Sequence, residues 1–173
     1  MTPTPITTTL DAEQQRIAGK ALQGTVVDLI DLSLIAKQAH WNVIGPNFLA
    51  VHATLDELAT VASNFTDEAA ERATAIGVSP DGRAATVAAD AGTTGFAEGW
   101  TSDGEVVETI TANLAAVIER LRARIESTEK ADPVTQDLLI GITVRLEQLH
   151  WMWQAQTTQP SAQRRRLGQL LVG

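Results

Sequence analysis

Residues 40–56 read HWNVIGPNFLAVHATLD and contain two of the chain's three histidines, together with a tryptophan and an aspartate. Gly45 and Pro46 lie in the middle of this stretch. Because glycine ends helices and proline cannot continue one, the pair predicts a break between two helices. A turn at this point brings His40 over the helix that carries His52 and Asp56. The stretch therefore predicts a helical hairpin with histidines at its turn.

Four long segments have apolar residues that recur at spacings of three and four, which is the periodicity of helices and not of strands. The first spans about residues 11–41 and the second about residues 47–75. The third opens at Ser102, three residues before Glu105, which is the spacing of a capping box. The fourth opens at Asp132, which proline follows at the first helical position.

The connection between the second and third helices is about 25 residues long, which is unusual inside a compact domain. A connection of this length is required if the third helix runs parallel to the second, because the chain must then travel back along the bundle. One long crossover in a four-helix bundle is the ferritin-like topology. The segment GRAATVAADAG, residues 82–92, predicts a short helix within it. We expect an all-α, ferritin-like bundle over residues 1–157, with a short tail at 1–10, and a C-terminal tail at 158–173.

Composition restricts the chemistry that this chain can perform. The 173 residues contain no cysteine, so a bound metal would be held by His, Asp and Glu, which favours iron, manganese or zinc. The net charge of −8 argues against a body built to neutralise phosphates. The N-terminus lacks the pattern of a secretory signal, and no stretch approaches the roughly 20 apolar residues of a membrane span. We expect a soluble, cytoplasmic protein.

A stripe of ionisable residues lies along the second helix. At about 100° per residue, His52, Asp56, Asp67 and Glu71 fall within about 100° of one another. The two aspartates are nevertheless roughly 16 Å apart along the axis, too far for one metal centre. The His52–Glu71 and Asp56–Asp67 spans share one midpoint, so a twofold axis there would bring each half opposite the other. We expect two metal sites per dimer, with small residues between the halves for close helix approach: Ala59, Thr60 and Ser63.

Histidine and carboxylate ligands with open positions suit ferrous iron. The turn at Gly45 would add His40 to the set. The alternative interpretation is that these residues are solvated helix charges and two structural histidines, which is the more common role of any single such pair.

The spacing of His40, His52, Asp56, Asp67 and Glu71 resembles that of the Dps family, the mini-ferritins named as DNA-binding proteins from starved cells. The surrounding sequences HWNVIGPNFLAVH and DEAAERATAIGVSP carry the same resemblance, which is strongest over residues 36–80. It implies a hollow dodecamer that oxidises Fe(II), preferably with hydrogen peroxide and otherwise with oxygen. The ferric mineral would be stored inside, which protects against oxidative stress.

The resemblance also implies roles for individual residues. His40, His52 and Asp56 would come from one subunit, and Asp67 with Glu71 from its mate. Trp41 would lie beside the centre as a sacrificial electron donor, although a buried core aromatic is an equally good interpretation. Asp132 and Asp137 match positions that line an acidic pore for iron entry, whereas Gly141 stands where a further acidic residue often occurs. Asp132 also has the simpler role of a helix cap.

Two other functions are open at this point. Arg164, Arg165 and Arg166 form the one basic cluster in a tail, and DNA binding through them should be weak and steeply salt-dependent. A metal held by carboxylates can also activate water, so a metal-dependent hydrolase is the remaining alternative.

Overall fold

The computed structural model describes residues 5–157 of the chain. Four long helices and one short helix make up most of this range, and two short strands join them. In chain order the elements are α1 (Ala12–Asn42), β1 (Val43–Ile44), α2 (Phe48–Ala75), α3 (Ala84–Asp90), β2 (Thr101–Ser102), α4 (Asp103–Thr128) and α5 (Pro133–Thr157). The all-α bundle with a short helix in its crossover is confirmed, and each long helix begins within a residue or two of its predicted start.

Capping boxes begin two of the long helices. Asp11 accepts hydrogen bonds from the backbone N–H groups of Glu13 (2.9 Å) and Gln14 (2.8 Å) at the start of α1. Ser102 accepts from the N–H of Glu105 (3.3 Å), whose carboxylate accepts in turn from the N–H of Ser102 (3.2 Å). The predicted Ser102–Glu105 box is therefore confirmed. Each box satisfies N–H groups that have no partner inside the helix.

The turn between α1 and α2 is tied to the start of α4. Strands β1 and β2 pair in parallel, with Val43 opposite Thr101 and Ile44 opposite Ser102. Asp103 adds a hydrogen bond of 2.6 Å from the backbone N–H of Asn47. Because α2 and α4 both begin at this end of the bundle, they run parallel, and the crossover returns along its length. No pattern in the sequence predicted this two-residue β pairing.

The core lies between the four long helices and is almost entirely aliphatic. A large cluster joins all four helices and includes Leu55, Ile110, Leu146 and the fully buried Trp153. A smaller cluster packs the first part of α1 against the last turns of α2 and includes Leu22 and Ile76. This packing fixes the relative rotation of α1 and α2, and hence the direction in which their polar side chains point.

Some of the predicted segments fall outside the range that the structure describes. The C-terminal tail at 158–173, with its three arginines, and the first four residues of the N-terminal tail lie there. The proposed division into a bundle and two tails therefore stays a prediction. None of the helices described within residues 5–157 is both long enough and apolar enough to span a membrane.

Candidate metal centre

His40 and His52 lie against each other across the α1–α2 turn. Their rings stack with centroids 3.6 Å apart and an angle of 23° between the planes. The Nδ1 atom of each histidine lies 3.0 Å from the backbone carbonyl oxygen of the other. A carbonyl oxygen can only accept, so these contacts assign the proton to Nδ1 in both rings. Each Nε2 is then left with a free lone pair, which is the arrangement of histidines that bind metals.

Asp56 lies one helical turn beyond His52 and forms an ion pair with Lys37 of α1. The hydrogen bond from Lys37, followed by the charge of its ammonium group, lowers the pKa of the Asp56 carboxyl below its ordinary value. The two histidines add to this effect in the same direction. Asp56 is therefore a carboxylate near the two imidazoles, and these three side chains are the first half of the predicted ligand set.

Asp67 and Glu71 form the second half of the stripe, further along α2. Both side chains are exposed and lie one turn apart. Within residues 5–157, neither carboxylate takes part in an ion pair or a side-chain hydrogen bond. The eleven residues between Asp56 and Asp67 correspond to roughly 16 Å of helix. One chain thus presents two separate candidate half-sites, the first with His40, His52 and Asp56 and the second with Asp67 and Glu71. No group of three His, Asp or Glu residues in the described range is placed to hold a metal.

A shallow groove occupies the surface between the two half-sites. It has a volume of about 300 Å³ and is lined by small polar side chains, among them Ser33 of α1 and Thr60 and Ser63 of α2. Ala59 is buried at its base, and its carbonyl oxygen accepts a hydrogen bond of 3.2 Å from Ser33 Oγ. The side chains between the half-sites therefore leave the backbone of α2 open to close approach.

Trp41 follows His40 directly and is 66% exposed, so its interpretation as a buried core aromatic is wrong for the single chain. It lines a second surface cavity, of about 380 Å³, with Leu34 and Phe96. Leu49, at the start of α2, is more exposed still. Large apolar side chains that stand in solvent near one another are typical of surfaces that associate with another chain.

The two residues assigned to an iron-entry pore occupy different environments. Asp132 is only 3% exposed and accepts from Arg72 Nη2 and from Thr135 Oγ1, each at 2.5 Å. Burial opposes ionisation of Asp132, but the hydrogen bonds from Thr135 and Arg72 outweigh it and lower the pKa of the carboxyl. Its side chain also accepts from the N–H of Val134, as a helix cap does. Asp132 is thus paired with Arg72 within its own chain, whereas Asp137 is exposed, and the pore role of both residues stays a prediction.

Comparison with known proteins places this chain in a family. The model of the ferritin-like domain matches residues 19–161. A Mycolicibacterium smegmatis protein named DNA protection during starvation protein is 37% identical over 132 residues, which are 72% of this chain and 68% of the relative. A Deinococcus radiodurans protein named DNA protection during starvation protein 2 is 35% identical over 151 residues, 86% of this chain, although the match spans only 63% of that relative. The solved tetragonal form of Mycobacterium smegmatis Dps superposes with a TM-score of 0.86 at 30% identity, covering 92% of this chain and 96% of that one.

The chain belongs to the Dps family of ferritin-like proteins. The predicted resemblance is thereby confirmed. The matched range contains all five residues of the candidate metal set as well as the whole crossover.

Sequence reasoning missed Lys37, the residue that pairs with Asp56 in the candidate half-site of this Dps protein. A signal for it was present, because Lys37 stands one turn before His40 on α1 and therefore on the same helix face. Its partner Asp56 is 19 residues further along the chain. The pairing of the two depends on how closely α1 and α2 pack, which the sequence alone does not specify.

Proposed function

We propose that this Dps protein oxidises and stores iron at centres shared between two subunits. Family membership supports iron storage and protection against oxidative stress in general terms. The observation that carries the specific proposal is the pair of stacked histidines whose Nδ1 atoms are occupied by backbone carbonyl oxygens. The Nε2 atoms of both rings are then available to bind a metal near Asp56, at one end of the exposed carboxylate stripe on α2.

Completion of the centre requires a second chain. In our proposal two α2 helices pack antiparallel about a twofold axis between Val61 and Ala62, so that His40, His52 and Asp56 face Asp67 and Glu71 of the partner subunit. The groove of small residues between the half-sites and the exposed apolar side chains near the turn favour such a contact. A hollow assembly of twelve chains, as the Dps resemblance implies, would repeat this contact six times.

Ferrous iron is the substrate of the proposed reaction. Two Fe(II) ions each give up one electron, and hydrogen peroxide accepts both and leaves as water after taking up protons. The imidazoles and carboxylates bind the ions and stabilise the higher charge of the product Fe(III), for which oxygen ligands are well suited. Lys37 pairs with the Asp56 carboxylate in the single chain, and an incoming cation would displace the ammonium group. Trp41, which follows His40 and is exposed, would supply a further electron when peroxide is in excess.

The test is anaerobic titration of Fe(II) into the purified assembly by calorimetry, followed by peroxide and measurement of the ferric absorbance. We expect Glu71→Gln and His52→Ala each to lose tight Fe(II) binding and rapid oxidation. Glu108→Gln is the matched control, because Glu108 is an exposed carboxylate on α4 with no ion pair in the described residues. Retained binding in Glu71→Gln would refute the shared centre.

A mixing experiment tests the two-chain geometry directly. We expect the His52→Ala and Glu71→Gln variants, dissociated and reassembled together, to recover part of the activity, because some interfaces then carry one fully intact centre. No recovery in properly assembled mixed particles would contradict the assignment of the two half-sites to different subunits.

A further inference from the structure

A cavity of about 490 Å³ lies between α1, the crossover and α4. No residue of α2 lines it, so it is separate from the candidate metal centre. Four cationic side chains line the cavity: Arg16 and Lys20 from α1, and Arg120 and Arg124 from α4. The net charge of −8 argues against a body built to neutralise phosphates, and this cavity is a local exception.

The cations of the cavity are only partly neutralised. Arg120 Nε (2.8 Å) and Arg124 Nη2 (2.6 Å) both donate to the same oxygen of the fully buried Asp28, so two positive charges share one negative charge. Arg16 is paired with Glu13, but Lys20 forms no ion pair within residues 5–157. Asp90 is the one exposed carboxylate that lines the cavity. Even with Asp90 counted, the cavity and the groups that pair with its side chains carry one more positive charge than negative charges.

Two glycines make room for the arginines. A Cβ atom on Gly24 would lie 2.7 Å from Arg124 Nη2, and one on Gly92 would collide with the side chain of Arg120. Arg124 Nη1 is buried and has no acceptor among the residues that the structure describes. Burial lowers the pKa of Arg124, and the charge of Arg120 lowers it further against the opposing effect of Asp28. The chain therefore holds two guanidinium groups close together with less negative charge than would balance them.

We propose that this cavity binds a phosphate group. Its oxygens would accept hydrogen bonds from Lys20 and from the exposed part of Arg120, whose side chain is 41% exposed. A guanidinium group and an ammonium group together match the charge and geometry of a phosphate. The positive charge of the largely buried Arg124 would strengthen the attraction for the phosphate without direct contact. The phosphate would be that of a small phosphomonoester or of free inorganic phosphate.

The remaining surface of the cavity favours the phosphomonoester. Ile17, Ala21 and Val27 give it an apolar wall beside the cations. Its volume also lies in the range of roughly 300–1,000 Å³ that small-molecule sites occupy. The organic part of a monoester would cover this apolar surface, and its hydroxyl groups could donate to Asp90.

Calorimetric titration of the assembled, iron-free protein tests the proposal, with inorganic phosphate and adenosine monophosphate as separate probes. We expect saturable binding of one ligand per chain, and a Kd for phosphate or the nucleotide that Lys20→Gln raises roughly tenfold, as expected for one charge-assisted hydrogen bond. Lys130→Gln is the matched control, since Lys130 is an exposed lysine outside the cavity and the substitution changes the net charge equally. Both variants should oxidise Fe(II) as the parent does.

The outcomes distinguish the source of the phosphate. Tighter binding of the nucleotide than of inorganic phosphate would support the monoester, and equal Kd values would support free phosphate. The proposal is overturned if neither probe saturates, or if Lys20→Gln and Lys130→Gln have the same effect. Duplex DNA serves as a third probe. The proposal is also overturned if Lys20→Gln weakens the binding of duplex DNA but of neither small phosphate, because a general surface charge would then explain the result.

Discussion

Replacement of Asp28 by asparagine perturbs the contact that joins α1 to both the crossover and α4. Asp28 Oδ2 accepts from Arg120 and Arg124, and Oδ1 accepts from the backbone N–H of Gly92 at 2.8 Å. Asparagine has nearly the same shape but only one acceptor oxygen. If that oxygen stays on Gly92, the new amide group points its own hydrogens at two guanidinium donors.

The magnitude follows from the burial of the three side chains. Removal of one partner from a buried ion pair costs about 3–5 kcal/mol, because the other charge is left without compensation. Arg124, with 13% of its side chain exposed, cannot turn to water, whereas Arg120 at 41% can do so in part. We therefore expect a loss near the lower end, about 3 kcal/mol. For a chain of this size that corresponds to a decrease in Tm of about 6–12 °C.

Scanning calorimetry at one fixed protein concentration measures this effect, because assembly makes Tm depend on concentration. Asp31→Asn is the matched control. Asp31 also joins α1 to the crossover, but through a single hydrogen bond from the hydroxyl of Thr93, for which about 1 kcal/mol is expected. If the two variants unfold within about 2 °C of each other, the shared ion pair does not stabilise the fold and the reasoning fails.

Two further predictions concern the turn and the start of α5. Gly45 has a φ of +139°, and a Cβ there would lie 2.6 Å from Asp103 Cγ, so Gly45→Ala should destabilise the chain by about 2 kcal/mol or more in urea unfolding. Gly104 lies in α4 with open space around it, so Gly104→Ala should be neutral or stabilise the chain by up to about 1 kcal/mol. The pKa of Asp132 is lowered in the folded state, so its contribution is present above the ordinary Asp pKa and is lost as the pH falls through that value towards the lower folded one. Asp132→Asn should therefore narrow the difference in Tm between about pH 5 and pH 3, and an unchanged pH profile would contradict the Arg72 pairing.

The elements of the fold could be predicted because their signals are local. Ser102 and Glu105 are three residues apart, and Gly45 with Pro46 breaks the helical pattern within two residues. The crossover was predictable for a different reason, since its length requires the chain to travel back along the bundle. Each of these inferences depends on neighbours in sequence or on chain length, and none of them requires knowledge of how helices pack.

The contacts that hold the crossover in place could not be predicted in this way. Asp28 meets Arg120 and Arg124 across 92 and 96 residues, and Gly92 across 64. In the sequence, Asp28 is an aspartate within an apolar stretch, and Arg120 and Arg124 are two of several arginines on a helix rich in charged residues. Only the packing of α1 against α4 makes Asp28 fully buried, and burial is the reason that loss of one partner would leave the other charge without compensation.

The candidate centre lies between these two cases. Its stripe on α2 is a local pattern, and the shared midpoint of its spans follows from residue numbers alone. Whether the two halves meet depends on a second chain. The fold of one chain shows only the surface available for that contact, a groove between exposed carboxylates and paired histidines. A helix that had only to pack within its own bundle would need no such surface at Thr60 and Ser63. In the proposed dimer the same twofold contact would use these small side chains and complete the metal ligands, so one requirement would account for both features of the helix.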